Sequence, residues 1–169
     1  MRRVYLLRHA KSSWKDRSLA DRDRPLAGRG KRAAKAVASH IEAEGIRPDL
    51  VLCSPARRSR ETLERVEAAF GERVEARFEE VLYGASEAEL LACLRALPPE
   101  VHSVMIVGHN PGLEHLALAL ASEGVERTRM EEKYPTGALA TIDLSADEWS
   151  VIERGSGDLV AYVRPRDLN

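Results

Sequence analysis

The sequence predicts an α/β fold built on a mostly parallel sheet. Apolar runs of strand length alternate along the chain with segments of helical periodicity. The strongest runs lack the in-and-out alternation of a half-exposed strand. They therefore read as strands buried on both faces, as parallel strands covered by helices are. A chain of 169 residues, 44% hydrophobic and 31% charged, is long enough to bury a core and is expected to form one domain, residues 1–169.

The first strand is the run Val4-Tyr5-Leu6-Leu7. Residues 8–29 then turn polar and irregular, with Ser12, Ser13, Asp16, Asp21, Asp23 and Pro25. A loop this long inside a compact domain is usually functional or disordered. From Lys31 onward Ala33, Ala34, Val37, Ala38 and Ile41 fall at helical spacing, and Gly45 offers a stop. Asp49-Leu50-Val51-Leu52-Cys53 is a second buried strand. Ser54-Pro55 opens a helix with Leu63, Val66 and Phe70 on one face and Gly71 at its end.

Residues 73–78 predict a short strand, and Ser86-Glu87-Ala88-Glu89 has the form of a capping box before Leu90, Leu91, Leu94 and Leu97. Residues 103–107 are a third buried strand. Asn110-Pro111 opens an apolar helix expected to run to about Gly124. Residues 137–144, 149–153 and 159–163 read as strands separated by turns.

The net charge of −1 supplies no global field for nucleic acid or an anionic membrane, and neither is expected as a partner. Cys53 and Cys93 lack zinc-type spacing and read as reduced thiols. The basic and briefly apolar start is too short for a signal peptide or a membrane span, so a cytoplasmic location is expected.

Chemistry concentrates at the ends of the three strongest strands. Arg8-His9 follows the first, and Ser54-Pro55 with Arg57, Arg58 and Arg60 follows the second. Gly108-His109-Asn110-Pro111 follows the third. In an open parallel sheet ligands bind at the carboxyl ends of strands, and two of these ends feed helix N-termini, which favour anions. Cations gathered there without obvious acidic partners call for a dianion such as phosphate. A neutral His9 imidazole could attack phosphorus if its other ring nitrogen were held by an acceptor. Arg8 and Arg58 would hold the phosphoryl oxygens, and a protonated His109 would add a donor once phosphate is bound.

These residues carry a family resemblance. Leu7-Arg8-His9-Ala10, the run from Ser54 to Thr62 and Gly108-His109-Asn110-Pro111-Gly112 resemble the three motifs of the histidine phosphatase superfamily. RHAKSSW, DRPLAGRG and GHNPG together are similar to the small SixA-type phosphohistidine phosphatases, over roughly residues 1–120. The resemblance implies a phosphoglycerate mutase-like three-layer sandwich, with a mostly parallel central sheet flanked by helices. It implies His9 as nucleophile, Arg8, Arg58 and His109 as phosphate ligands, and no metal or other cofactor. In the second motif the phosphate-binding arginine stands four positions after the serine, which selects Arg58 over Arg57 and Arg60.

The sequence departs from the pattern in two places. Many relatives carry an asparagine where this chain has Lys15, so Lys15, Lys11 or Ser12 could take its part, and Arg24 could reach the site from the loop. Mutase-like relatives supply a glutamate as general acid. Glu79 and Glu80 lie in the corresponding region, though in a charged stretch where exposed glutamates are ordinary. A site without an acid favours P–N over P–O cleavage, because imidazole, with a reference pKa of about 6.5, leaves more readily than an alkoxide.

The implied partner is a phosphorylated protein, such as a histidine phosphotransfer domain, or a small phosphoramidate. The alternatives are a small-molecule phosphomonoesterase of the same superfamily and, in a different class, a catalytically weak phosphate-dependent binding module. His40, His102 and His115 are expected to be structural or superficial.

Overall fold

The computed structural model describes residues 1–168. Six strands form one sheet: β1 (Arg2–Arg8), β2 (Leu50–Cys53), β3 (Glu75–Phe78), β4 (Ser103–Gly108), β5 (Leu139–Leu144) and β6 (Gly157–Val163). Five helices accompany them: α1 (Gly28–Glu44), α2 (Arg57–Val66), α3 (Glu87–Arg95), α4 (Gly112–Leu120) and α5 (Val125–Glu132). The strand order is β3-β2-β4-β1-β5-β6. The first four strands of that order run parallel, and β5 and β6 close one side antiparallel.

The side-chain period of a strand divides the core into two layers. Val4, Leu6, Leu50, Leu52, Val104 and Ile106 point to one face, where Leu90, Leu91 and Leu94 of α3 and Leu113, Leu116 and Leu120 of α4 cover them. Tyr5, Leu7, Val51, Cys53, Met105 and Val107 point to the other, against Val37 and Ile41 of α1 and Leu63 and Val66 of α2. The result is the three-layer sandwich, with continuous apolar strands because both faces are buried.

Local signals set most of the boundaries. α1 ends where Gly45 adopts φ 64°, a left-handed conformation that costs glycine little. Ser86 and Glu89 form the reciprocal capping box at the start of α3.

Two expectations need correction, and one helix was not foreseen. Residues 149–153 do not form a strand: Trp149–Val151 is a 3-10 turn, tied down by the buried Trp149, whose indole N–H donates to the Val101 carbonyl. The helix after Asn110-Pro111 stops at Leu120 rather than near Gly124, because Ala121 turns extended and bridges Gly157, the first residue of β6. The separate helix α5 was not anticipated; within it only Met130 is buried, so it lacks an apolar stripe to read. Among the described residues, no helix is long and apolar enough to cross a membrane.

Candidate active site

The topology explains why three distant motifs meet. β2, β4 and β1 are adjacent and parallel, so their carboxyl ends emerge side by side. The ladder continues past the strands, with Ser54 N–H donating to Val107 and His9 N–H to Gly108. A cleft of about 490 Å³ opens over these ends, lined by Arg8, His9, Lys11, Ser12, Arg24, Arg58 and His109, with Trp14, Asp21, Tyr83, Gly84, Asn110 and Thr136.

His9 is buried, and its Nδ1 lies 2.8 Å from the Ala10 carbonyl oxygen. A carbonyl can only accept, so Nδ1 carries the proton and Nε2 keeps its lone pair. Burial, reinforced by the charges of Arg58 and Arg8 but opposed by the Ala10 hydrogen bond, pushes the His9 pKa down to about 3. The ring is therefore neutral at physiological pH. Ala10 is itself fixed, its N–H donating to Thr62 Oγ1 at 2.9 Å while the Thr62 hydroxyl donates to the Arg58 carbonyl at 2.7 Å.

His109 lies beside His9, with ring centroids 5.1 Å apart. Its Nε2 is 2.7 Å from Ser54 Oγ, and its Nδ1 is 3.5 Å from Arg58 Nη2. An Arg58 donor facing Nδ1 favours the tautomer with the ring proton on Nε2, toward Ser54. Burial and then the Arg58 charge lower the His109 pKa to about 4. In the free site it is neutral. A phosphate dianion beside Nδ1 would raise that pKa, so the expected protonated His109 belongs to the occupied site.

The arginines are anchored from behind. Arg8 Nη1 donates to the Tyr134 carbonyl at 2.9 Å, a carbonyl that Asn110 Nδ2 also reaches at 3.0 Å. Arg58 donates from Nη1 to the Asp21 carbonyl at 2.8 Å and from Nη2 to Asp21 Oδ2 at 3.0 Å. Among the described residues, the Nε of each arginine is buried without a partner. Buried cationic donors left open in this way suit an anion.

The other expected residues divide. Lys11 and Arg24 line the cleft; Arg24 donates to Ser12 Oγ at 2.8 Å and lies over the Trp14 ring at 3.5 Å. Lys15 is exposed and does not line it. Glu79 and Glu80 also lie off the cleft wall. Glu80 is exposed and its carboxylate is gripped by Arg22 at 2.6 and 3.0 Å, which lowers its pKa. Of the remaining histidines, His115 is exposed and His40 half-buried, while His102 Nδ1 is 3.2 Å from Arg2 Nη1.

Three functional candidates escaped the sequence. Asp21 reaches the cleft from the long loop, Tyr83 donates its phenol to Asp21 Oδ2 at 2.5 Å, and Thr62 braces Ala10. Tyr83 also packs edge-on against His109, with centroids 5.5 Å apart. The available signals were the loop's unusual length and the motif position of Thr62. Among the described residues, no three His, Cys, Asp or Glu side chains gather as a metal-binding group.

Residues 4–103 match the histidine phosphatase superfamily (branch 1). An uncharacterised protein of Mycobacterium tuberculosis is 37% identical over 164 residues, covering 95% of this chain and 100% of the relative. A candidate phosphohistidine phosphatase SixA from Agrobacterium tumefaciens has a similar structure, with a TM-score of 0.83, 32% identity and coverage of 97% of this chain and 98% of that one. A candidate phosphohistidine phosphatase SixA from Nakamurella multipartitia aligns with a TM-score of 0.83 and 28% identity, covering 97% and 96% of the two chains.

Proposed function

Because the chain belongs to the histidine phosphatase superfamily, we propose that it is a phosphohistidine phosphatase acting through a covalent phospho-His9. The observation that carries this reading is the hydrogen bond from His9 Nδ1 to the Ala10 carbonyl, which leaves Nε2 free to attack in a ring that burial keeps neutral.

Arg8 and Arg58 hold the phosphoryl oxygens, and His109 takes up a proton as the dianion arrives and donates from Nδ1. These donors gain strength as charge spreads in the transition state. Lys11 and Arg24 add positive charge along the cleft wall. Water then attacks phospho-His9, the P–N electron pair returns to Nε2, and the water protons leave with the phosphate. The reaction calls for no metal ion, since guanidinium and imidazolium supply the charge.

The choice of a P–N bond rests on the proton donor. Among the described residues Asp21 is the one carboxylate on the cleft wall, and its pKa is lowered to about 2, with the Tyr83 hydrogen bond as the largest cause. It holds no proton to give to an alkoxide. A leaving imidazole needs no such donor when its far nitrogen is already protonated. A phosphorylated histidine phosphotransfer domain is the substrate class this reading favours.

The test compares turnover of a phosphohistidine-bearing phosphotransfer domain with that of an alkyl phosphate, in the presence of a chelator. The P–N substrate is expected to win in kcat/KM by about 10²-fold or more, the usual worth of a missing general acid. Faster turnover of the alkyl ester would overturn the reading and favour a small-molecule phosphomonoesterase. Saturable binding of the phosphoprotein without turnover would favour a phosphate-dependent binding module.

A further inference from the structure

A carboxylate inside a phosphate site needs a reason, because its charge repels the phosphoryl dianion. Asp21 is held there firmly. Its Oδ2 accepts from Arg58 Nη2 at 3.0 Å and from the Tyr83 hydroxyl at 2.5 Å, and its Oδ1 accepts from Arg24 Nε at 3.2 Å. Its side chain is still about half exposed, at 49%, toward the cleft that it shares with His9. A carboxylate has about four lone-pair sites, so one remains open.

The leaving groups of P–O and P–N substrates differ in one respect that bears on this residue. An ester presents no cation on the side away from phosphorus. Phosphohistidine does: the ring nitrogen opposite the scissile one must carry a proton if the ring is to depart as neutral imidazole rather than as imidazolate. We propose that Asp21 is the specificity-determining residue of the site, its carboxylate accepting the far N–H of the leaving imidazole and so selecting the protonated phosphoimidazole. This assignment rests on the phosphohistidine reading and deepens it.

The step balances without a further reactant. The His9 Nε2 lone pair forms the new bond to phosphorus, and the old P–N pair moves onto the substrate nitrogen. The far N–H stays on the departing ring, beside Asp21. His9 becomes a phosphoimidazolium whose Nδ1–H is held by the Ala10 carbonyl. The two rings then exchange equivalent states, each with its distal N–H on an oxygen acceptor. Because the Asp21 carboxylate stays ionised down to about pH 2, the acceptor is present throughout the working range.

The experiment compares the wild-type enzyme with Asp21→Asn and Tyr83→Phe, on a phosphohistidine-bearing phosphotransfer domain and on p-nitrophenyl phosphate, whose phenolate needs no such contact. The ratio of kcat/KM for phosphohistidine over the aryl ester is expected to fall about tenfold or more in Asp21→Asn, the scale of a lost charge-assisted hydrogen bond. The alkaline limb of kcat on phosphohistidine is expected to move to lower pH, since the bound ring loses its counter-charge. Tyr83→Phe keeps the carboxylate and is expected to keep the ratio.

An equal loss on both substrates would make Asp21 a positioning residue for Arg58, and an equal gain would make it a competitor of phosphate; either overturns the assignment. Collapse of the ratio in Tyr83→Phe alone would move the role to the phenol and also overturn it. A wild-type enzyme inactive on phosphohistidine would remove the phosphohistidine reading itself, and this assignment with it.

Discussion

His9 Nδ1 lies 2.8 Å from the carbonyl oxygen of Ala10, its neighbour in the chain. The contact costs one hydrogen bond and decides which nitrogen can react. Burial, which outweighs this bond at His9 and acts with the Arg58 charge at His109, holds both rings neutral before substrate binds.

That depression has a consequence for stability. The unfolded chain takes up protons on both histidines near pH 6.5, while the folded chain resists until about pH 3 for His9 and about pH 4 for His109. More protons bound in the unfolded state means stability that falls as pH drops below about 6.5. The melting temperature of the wild-type protein should therefore decline between pH 7 and pH 5 more than that of His9→Ala. Equal declines would remove the buried neutral imidazole from the account.

Thr62 links the segment after His9 to Arg58, accepting from Ala10 N–H and donating to the Arg58 carbonyl. Thr62→Val keeps the shape and removes both bonds. Leaving the buried Ala10 N–H unpaired should cost about 1–3 kcal/mol in urea denaturation, and kcat should fall with it. Unchanged stability would show that the contact is incidental.

Gly30 sets the approach of α1 to the segment after His9. A Cβ built there would stand 2.0 Å from the Lys11 carbonyl oxygen. Gly30→Ala must push that backbone away, which should destabilise the protein by roughly 1–3 kcal/mol and lower turnover through the displaced loop. Full activity of the variant, measured beside a denaturation curve, would contradict this packing.

Glu80 pairs with Arg22 outside the cleft. Glu80→Gln should leave kcat on both P–N and P–O substrates within about twofold, since exposed ion pairs contribute little. A large loss confined to the ester would return Glu80 to the role of general acid.

What the sequence revealed follows from physics that acts locally. Val4-Tyr5-Leu6-Leu7 and its two counterparts were readable because a doubly buried strand has no polar alternation, and the residues that follow them were readable as strand ends. Asp21 and Tyr83 were not, because their partnership spans 62 positions and exists only once the loop folds back over Arg58. Trp149 misled for a related reason: an aromatic among apolar neighbours reads as strand, and only the Val101 carbonyl opposite it makes a turn. The general acid sought among Glu79 and Glu80 was a question about which side chains reach the cleft, which spacing along the chain does not answer.

The most direct test of the account is to trap the intermediate. The wild-type enzyme, incubated with a phosphodonor and quenched in alkali, should carry one phosphoryl group that is acid-labile and base-stable, mapped by peptide mass spectrometry to His9, and His9→Ala should carry none and lose turnover. A fully active His9→Ala enzyme, or a label that maps to another residue, would contradict it.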